Sequence, residues 1–243
     1  MVDISPGEGW YVVANPADKE KLRALGANVD VVRDMDWEAR IDFLFSVERQ
    51  QEAKSLGPDL PKIPQLAAPE ILSLYREITD CVLAGAYGAA ITMSTILAEF
   101  ALKYTTFICE VGEHGRDDPD KWDEFESLTF APAAKRARSA GLITDKQFEK
   151  LNNFRDQIRN PYAHYNIRKI TRGNVWKNVM VYNRETGETE IRDIAAEDSP
   201  VIRAQIKPHF DRANVVIVFG IVDEIVRSLF DQMEGIIGSK TEK

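Results

Sequence analysis

The segment Arg-Asn-Pro-Tyr-Ala-His at positions 159–164 combines residue types that suit cleavage of a phosphodiester bond. Histidine carries protons near neutral pH, so His164 is suited to activate or protonate an oxygen. Arginine is permanently charged and binds phosphate oxygens through paired N–H groups, so Arg159 is suited to stabilise charge in the transition state. RNA supplies its own nucleophile, the 2′-hydroxyl, and a pair acting on RNA therefore requires no metal ion.

The position of this pair depends on the helix that carries it. Apolar residues at steps of three and four, Phe148, Leu151, Phe154 and Ile158, predict a helix that Thr144 and Gln147 start as a capping box. Arg159 and His164 are separated by five positions, which would place their side chains about 140° from each other around the axis of an ideal helix. Because Pro161 disfavours regular helix at the preceding residue, we expect a break, kink or restart near Asn160, which would bring both side chains toward one cleft.

Positive charge is concentrated around the motif. Residues 155–177 contain six basic residues against one acidic residue, with Tyr162, Tyr165 and Trp176 between them. Basic groups interleaved with aromatic rings are typical of sites for nucleotides or single-stranded RNA, although the same rings could also be core residues. The residues predicted to contact substrate are Arg155, Tyr162, Tyr165, Arg168, Lys169 and Arg172.

The Arg-to-His spacing alone carries little information. Arg203 and His209 are six apart and match it too, but no asparagine follows Arg203. Pro208 precedes His209 directly, so His209 is predicted to be a surface residue at the start of the last helix. Only the pair at 159 and 164 therefore remains a candidate, with Asn160 as a polar residue that orients it.

Composition restricts the remaining possibilities. The chain has 243 residues, 44% of them apolar, and a formal net charge of −8, so any RNA contact must use a local basic patch. Cys81 and Cys109 are predicted to be free thiols, and no zinc spacing is present. We expect no metal and no cofactor. The apolar run at 215–222 is far shorter than the roughly 20 residues of a membrane span, and no signal peptide is recognisable, which predicts a cytoplasmic protein without membrane contact.

The periodicity predicts an all-α fold, an up-and-down bundle of four to five core helices. In residues 175–194 the spacing of the apolar side chains changes to the period of two of a β-strand, and Thr186 and Gly187 suit a tight turn. This segment therefore predicts an inserted β-hairpin. A last helix is expected from about 208 to 234. Residues 1–64 are predicted to be an accessory region, with a helix at about 36–55 that buries Ile41, Leu44, Phe45 and Val47. Residues 65–238 form the predicted helical domain.

The chain resembles the HEPN-domain family over roughly residues 66–235. The resemblance rests on the small-aromatic-small turn and Ala-rich helix at 83–103, and on residues 140–166, where a Gly-Leu-Ile turn and a capped helix precede the motif. It implies a helical bundle that forms a homodimer around a shared cleft. It also implies a metal-independent RNase in which Arg159 and His164 are catalytic and Asn160 orients them. Relatives of this kind belong to toxin–antitoxin and other defence systems, so an antitoxin partner is implied as well.

Two other interpretations stay open at this stage. The chain could be a non-catalytic HEPN module that dimerises or binds a nucleotide, with a nucleotidyltransferase-type partner. It could also be an unrelated helical bundle in which Arg159 pairs with an acidic residue and His164 caps the restarted helix.

Overall fold

The structure, a computed structural model, describes residues 41–42, 44–112, 119–182 and 189–241. Helices dominate these residues, and one antiparallel hairpin interrupts them, which confirms the predicted all-α class with an inserted hairpin. The helices in chain order are α1 (Val47–Leu56), α2 (Pro69–Leu83), α3 (Tyr87–Val111), α4 (Pro119–Glu126), α5 (Phe130–Ser139), α6 (Asp145–Phe154), α7 (Asn160–Ala163), α8 (Ile167–Ile170) and α9 (Pro200–Thr241). The strands are β1 (Val175–Tyr182) and β2 (Thr189–Ala195), and a π-helical turn, Arg155–Arg159, joins α6 to α7.

The residue contacts divide the chain into two compact units. Among the described residues, the bundle unit comprises 52–112, 119–166 and 211–241, and the hairpin unit comprises 41–42, 44–51, 167–182 and 189–210. This division groups the hairpin apart from the bundle, whereas the sequence suggested one domain over residues 65–238. The predicted boundary at residue 64 stays a prediction, and residues 1–40 lie outside the described residues.

Helix α3 is the central element of the bundle unit. It contacts α2, α4, α5 and α7, and its side chains at Ile91, Leu97 and Phe107 are fully buried. Full burial of one such side chain stabilises the fold by about 1.5–3 kcal/mol. Helices α2 and α9 are joined by a hydrogen bond in which the Tyr75 hydroxyl donates to a carboxylate oxygen of Asp223 at 2.8 Å.

The hairpin unit has a small core of its own. Trp176, Ala196, Ile202 and Ile206 are buried together and connect the strands to the first turns of α9. The strands pair Trp176 with Ile194 and Val179 with Arg192, so two residues of β1 oppose one residue of β2. Asn178, in this bulge, has φ +56°, and its N–H group donates to Asp193 at 2.9 Å. The predicted tight turn at 186 and 187 lies outside the described residues.

Two sequence predictions about helices were wrong. Helix α9 begins at Pro200, not near residue 208, and Pro208 lies inside it. The buried side chains of Ile202 and Ile206 extend the helix through this proline, because packing on the hairpin outweighs the loss of one backbone hydrogen bond. The apolar residues Ile41, Leu44, Phe45 and Val47 are exposed, although their spacing predicted a buried stripe.

No helix in the described part of the chain combines the length and the apolarity that crossing a bilayer requires.

Candidate active site

The helix that leads to the motif starts as the sequence predicts. The Thr144 side chain accepts a hydrogen bond from the Gln147 backbone N–H at 3.3 Å, and the Gln147 side chain accepts one from the Thr144 backbone at 2.8 Å. This reciprocal arrangement confirms the capping box. Gln147 also donates to the Ser228 hydroxyl at 3.0 Å, so the cap fixes the start of α6 against α9.

The irregularity that Pro161 imposes takes the form of a π turn. The Asn160 N–H group donates to the carbonyl of Arg155, five residues earlier, while the backbone of Arg159 and Asn160 keeps helical dihedrals. Pro161 then occupies the first turn of α7, where its missing N–H group costs little. The helix therefore widens and continues instead of separating into two directions, and π turns of this kind are frequent at functional sites.

Arg159 is held in place by two neighbours. Its Nε and Nη2 atoms donate to Oε2 of Glu99 at 3.2 and 2.9 Å, and Nη1 donates to Oδ1 of Asn160 at 3.2 Å. The other carboxylate oxygen of Glu99 pairs with Nζ of Lys103 at 3.2 Å. The Arg159 side chain is 22% exposed and that of Glu99 is 15% exposed, so solvent only partly screens the pair. Asn160 thus lies beside Arg159, as an orienting residue would.

A cavity of about 270 Å³, called the Arg159 hollow below, adjoins this guanidinium. It is lined by Ile96, Glu99, Phe100, Lys103, Trp122, Glu126 and Arg159. The Lys103 ammonium group, besides pairing with Glu99, donates to the carbonyl oxygen of Glu126 at 3.0 Å and so joins α3 to the end of α4. The charged residues Arg159, Lys103, Glu99 and Glu126 therefore line the hollow together with aromatic residues.

His164 lies at the end of α7 and is exposed. Its φ of −101° and ψ of 8° end the helical geometry, and Tyr165 follows with φ +48°. Within the described part of the chain, no hydrogen bond or ion pair joins the imidazole of His164 to Arg159. Because α7 continues the helix, the two side chains keep the wide angular separation of a regular helix. Within one chain, Pro161 therefore does not bring the side chains of Arg159 and His164 to one cleft, contrary to the expectation from the sequence.

The predicted substrate-binding residues fall into three environments. Tyr162 is buried, and its hydroxyl donates to Asp211 at 2.6 Å, so its ring has little free surface for a base to stack on. Tyr165 is 68% exposed. Arg155 forms a two-bond pair with Asp156, whose hydrogen bond raises the pKa of the guanidinium.

The other basic residues of the predicted patch belong to the hairpin unit. Arg168, Lys169 and Arg172 are exposed on and after α8. The Nε atom of Arg172 lies 4.0 Å from Oε1 of Glu197. The positive segment of the sequence is therefore distributed over both units, and the bundle unit itself contributes Arg155, Arg159 and His164.

Sequence reasoning missed Glu99, Lys103 and Trp122. A signal for the first two was present, because α3 carries only three charged residues in 25 and Glu99 and Lys103 are four apart on it. Such a pair on an apolar helix is usually an ordinary intrahelical ion pair. Nothing local connects Glu99 with Arg159, which follows 60 residues later. The interpretation in which Arg159 pairs with an acidic residue did anticipate a partner of this type.

The second Arg–His match has a structural explanation. Nη1 of Arg203 donates to the carbonyl oxygens of Ala196 and Glu197 at 3.1 and 2.9 Å, which satisfies the 3₁₀ turn before α9. His209 is exposed, lies inside α9 instead of at its start, and contacts the Trp176 ring edge to face at 6.3 Å between centroids. This pair therefore supports the fold of the hairpin unit.

Across residues 41–42, 44–112, 119–182 and 189–241, no three His, Cys, Asp or Glu side chains cluster in a way that could hold a metal ion. Comparisons with protein-family models, with curated proteins and with solved structures found no match to this chain.

Proposed function

We propose that this protein is a HEPN-type, metal-independent endoribonuclease that acts as a homodimer. The observation that carries the proposal is the arrangement along one helix. Arg159 is oriented by Glu99 and Asn160 beside an open hollow, and His164 is exposed at the end of the same helix. A fixed cation and an exposed proton carrier, which a second chain can bring together, are the minimum that phosphodiester cleavage by the 2′-hydroxyl requires.

The proposed reaction is an internal transfer. The 2′-oxygen attacks phosphorus, the bond from phosphorus to the 5′-oxygen breaks, and the products are a 2′,3′-cyclic phosphate and a 5′-hydroxyl. One proton leaves the 2′-hydroxyl and one is delivered to the departing 5′-oxygen. Arg159 stabilises the negative charge that develops on the phosphate oxygens.

Two proton transfers explain why the proposal includes a second copy of the chain. A single chain offers one imidazole at the motif, and His164 and Arg159 are not in contact within it. A two-fold dimer would supply two copies of His164 to one cleft, one as base and one as acid. In this proposal the protein works in the cytoplasm, in a toxin–antitoxin or other defence system with an antitoxin partner.

The test is RNA cleavage in the presence of EDTA, with His164→Ala compared with His209→Ala. Both histidines are exposed, and His209 serves as the control outside the motif; circular dichroism of each variant checks that loss of the ring contact with Trp176 leaves the fold intact. We expect wild type and His209→Ala to cleave RNA to 2′,3′-cyclic phosphate ends. The His164→Ala variant should be about 10²–10⁴-fold slower, the usual contribution of a general acid or base. Wild type that leaves diverse RNAs intact, or equal rates in both variants, would refute the proposal.

Two observations favour a second candidate, a non-catalytic HEPN module that dimerises or binds a nucleotide. Glu99 already pairs with Arg159, and the exposed Ile217 and Ile221 of α9 offer apolar surface to another chain. Such a module would work with a nucleotidyltransferase-type partner. Nucleotide binding or stable dimers without RNA cleavage by the wild-type protein would support this alternative over the nuclease.

A further inference from the structure

The Arg159 hollow has the size and walls of a site for one nucleobase. Its volume of about 270 Å³ lies just below the range of about 300–1,000 Å³ that is common for pockets of drug-sized ligands. Phe100 and Trp122 are half-buried and line the hollow, and their rings stand at 73° to each other, so a flat base can stack on one ring and meet the other at its edge. Unpaired bases stack readily on such rings. The hollow therefore suits a flat ring system of modest size.

Arg159 connects this hollow to the phosphate of the same nucleotide. A guanidinium has five N–H donors, and the three bonds to Glu99 and Asn160 use one each from Nε, Nη1 and Nη2. One N–H group on Nη1 and one on Nη2 remain for a phosphate oxygen. Because Glu99 is itself held by Lys103, the orientation of Arg159 is set before any ligand arrives.

The charges on the walls determine which base fits. Lys103 and Arg159 balance the carboxylates of Glu99 and Glu126, so the hollow does not repel a nucleotide. Glu99 uses both of its oxygens on these cations. Glu126 is exposed at the end of α4, and within the described part of the chain its carboxylate makes no hydrogen bond or ion pair. It is therefore an acceptor group that a ligand can use.

A carboxylate recognises a base edge that presents two adjacent donors. Among the four bases of RNA, only guanine has such an edge, formed by N1–H and the N2 amino group. Adenine and cytosine each place an acceptor beside their amino group, and uracil has a single donor between two acceptors. The remaining carboxylate of the hollow thus matches guanine and disfavours the other bases.

From these contacts we infer that the Arg159 hollow binds guanine, stacked on either Trp122 or Phe100, with Glu126 selecting the base and Arg159 binding its phosphate. The inference rests on the proposed function in one respect, because it takes the bound guanosine to be the nucleotide next to the phosphate that the nuclease cleaves. The site itself is a binding site whether or not cleavage follows.

The experiment measures binding of 3′-GMP and 5′-GMP, and of the corresponding adenine, cytosine and uracil nucleotides, to the full chain by calorimetry. We expect at least one guanine nucleotide to bind tenfold or more tightly than the others. Glu126→Gln should remove this preference. Asp123→Asn is the control, because it removes the same charge from an exposed position of α4 that does not line the hollow. Both positions are exposed, so neither substitution should unfold the protein.

The outcomes separate this inference from the nuclease proposal. Equal binding of all four bases, absence of binding, or an unchanged guanine preference in Glu126→Gln would overturn the guanine site even if RNA is cleaved. A guanine preference that depends on Glu126 would support the site even if the wild type leaves RNA intact. Where RNA is cleaved, cuts beside guanosine in wild type and dispersed cuts in Glu126→Gln are the expected pattern.

Discussion

The Tyr162 hydroxyl donates a hydrogen bond to the carboxylate of Asp211 at 2.6 Å, and both residues are buried. The bond joins the motif helix α7 to the part of α9 that belongs to the bundle unit. Tyr162 lies between Asn160 and His164, so this bond fixes the middle of the segment whose ends carry the candidate chemistry. The aromatic residue of the motif is therefore an anchor for the helix.

The first prediction concerns this anchor. Tyr162→Phe keeps the ring but removes the donor to Asp211, and hydrogen bonds to charged groups contribute about 1.5–3 kcal/mol. We expect the free energy of unfolding in urea to fall by about that amount. Tyr165→Phe is the control, since Tyr165 is exposed and its substitution should change stability by less than about 0.5 kcal/mol. Equal stability of the two variants would contradict the anchoring role.

The second prediction concerns alkaline pH. Burial, followed by the hydrogen bonds to Asp223 and Asp211, raises the pKa values of Tyr75 and Tyr162 above their ordinary value of about 10. A group whose pKa is higher in the folded than in the unfolded state stabilises the fold below the unfolded pKa. That contribution is lost as pH rises above about 10.

Unfolding in urea between pH 8 and pH 11 measures this effect. We expect the wild type to lose stability steeply above pH 10, and the Tyr75→Phe, Tyr162→Phe double variant to lose less over the same interval. The double variant should be less stable than wild type at pH 8, because the two hydrogen bonds are absent. Parallel curves above pH 10 would show that other groups control the alkaline transition.

The third prediction concerns the ion pair between Glu99 and Arg159. Exposed pairs contribute about 0–1 kcal/mol, and breaking a fully buried pair costs about 3–5 kcal/mol. This pair is intermediate in burial, so we expect a coupling energy of about 1 kcal/mol in a double-mutant cycle of Glu99→Ala and Arg159→Ala. The matched control is the cycle of Arg138→Ala and Asp145→Ala, a more exposed pair whose coupling should be near zero. Additive effects at Glu99 and Arg159 would mean that Glu99 does not hold Arg159.

The features that the sequence predicted correctly are local ones. The capping box depends on Thr144 and Gln147, three residues apart, and the hairpin on the alternation from Val175 onward, so short-range geometry determines both. The extent of α9 was missed because local rules treat Pro208 as a helix start. Packing of Ile202 and Ile206 in the core of the hairpin unit decides otherwise.

The candidate site likewise contains residues that the local sequence suggests and residues that only tertiary packing brings together. Arg159, Asn160 and His164 are candidates from the sequence because residue type and spacing along one segment suggest their chemistry, and their catalytic role stays a prediction. Glu99 and Trp122 are not such candidates, because they reach Arg159 only through the packing of α3 and α4. The form of the irregularity at Pro161 was not predictable either, since a kink and a π turn obey the same local rule.

The π turn at Arg155–Arg159 accommodates one extra residue in this helix. A π turn holds one residue more than an α-helical turn, so deleting one residue there would let the turn close as regular α-helix. The later positions of the helix would keep their orientation, and Tyr162 would still reach Asp211. Deleting one residue after the turn and before Tyr162 would instead rotate every later position by about 100° and move it by about 1.5 Å along the axis. A change in the number of residues is thus tolerated inside the π turn and disruptive just after it.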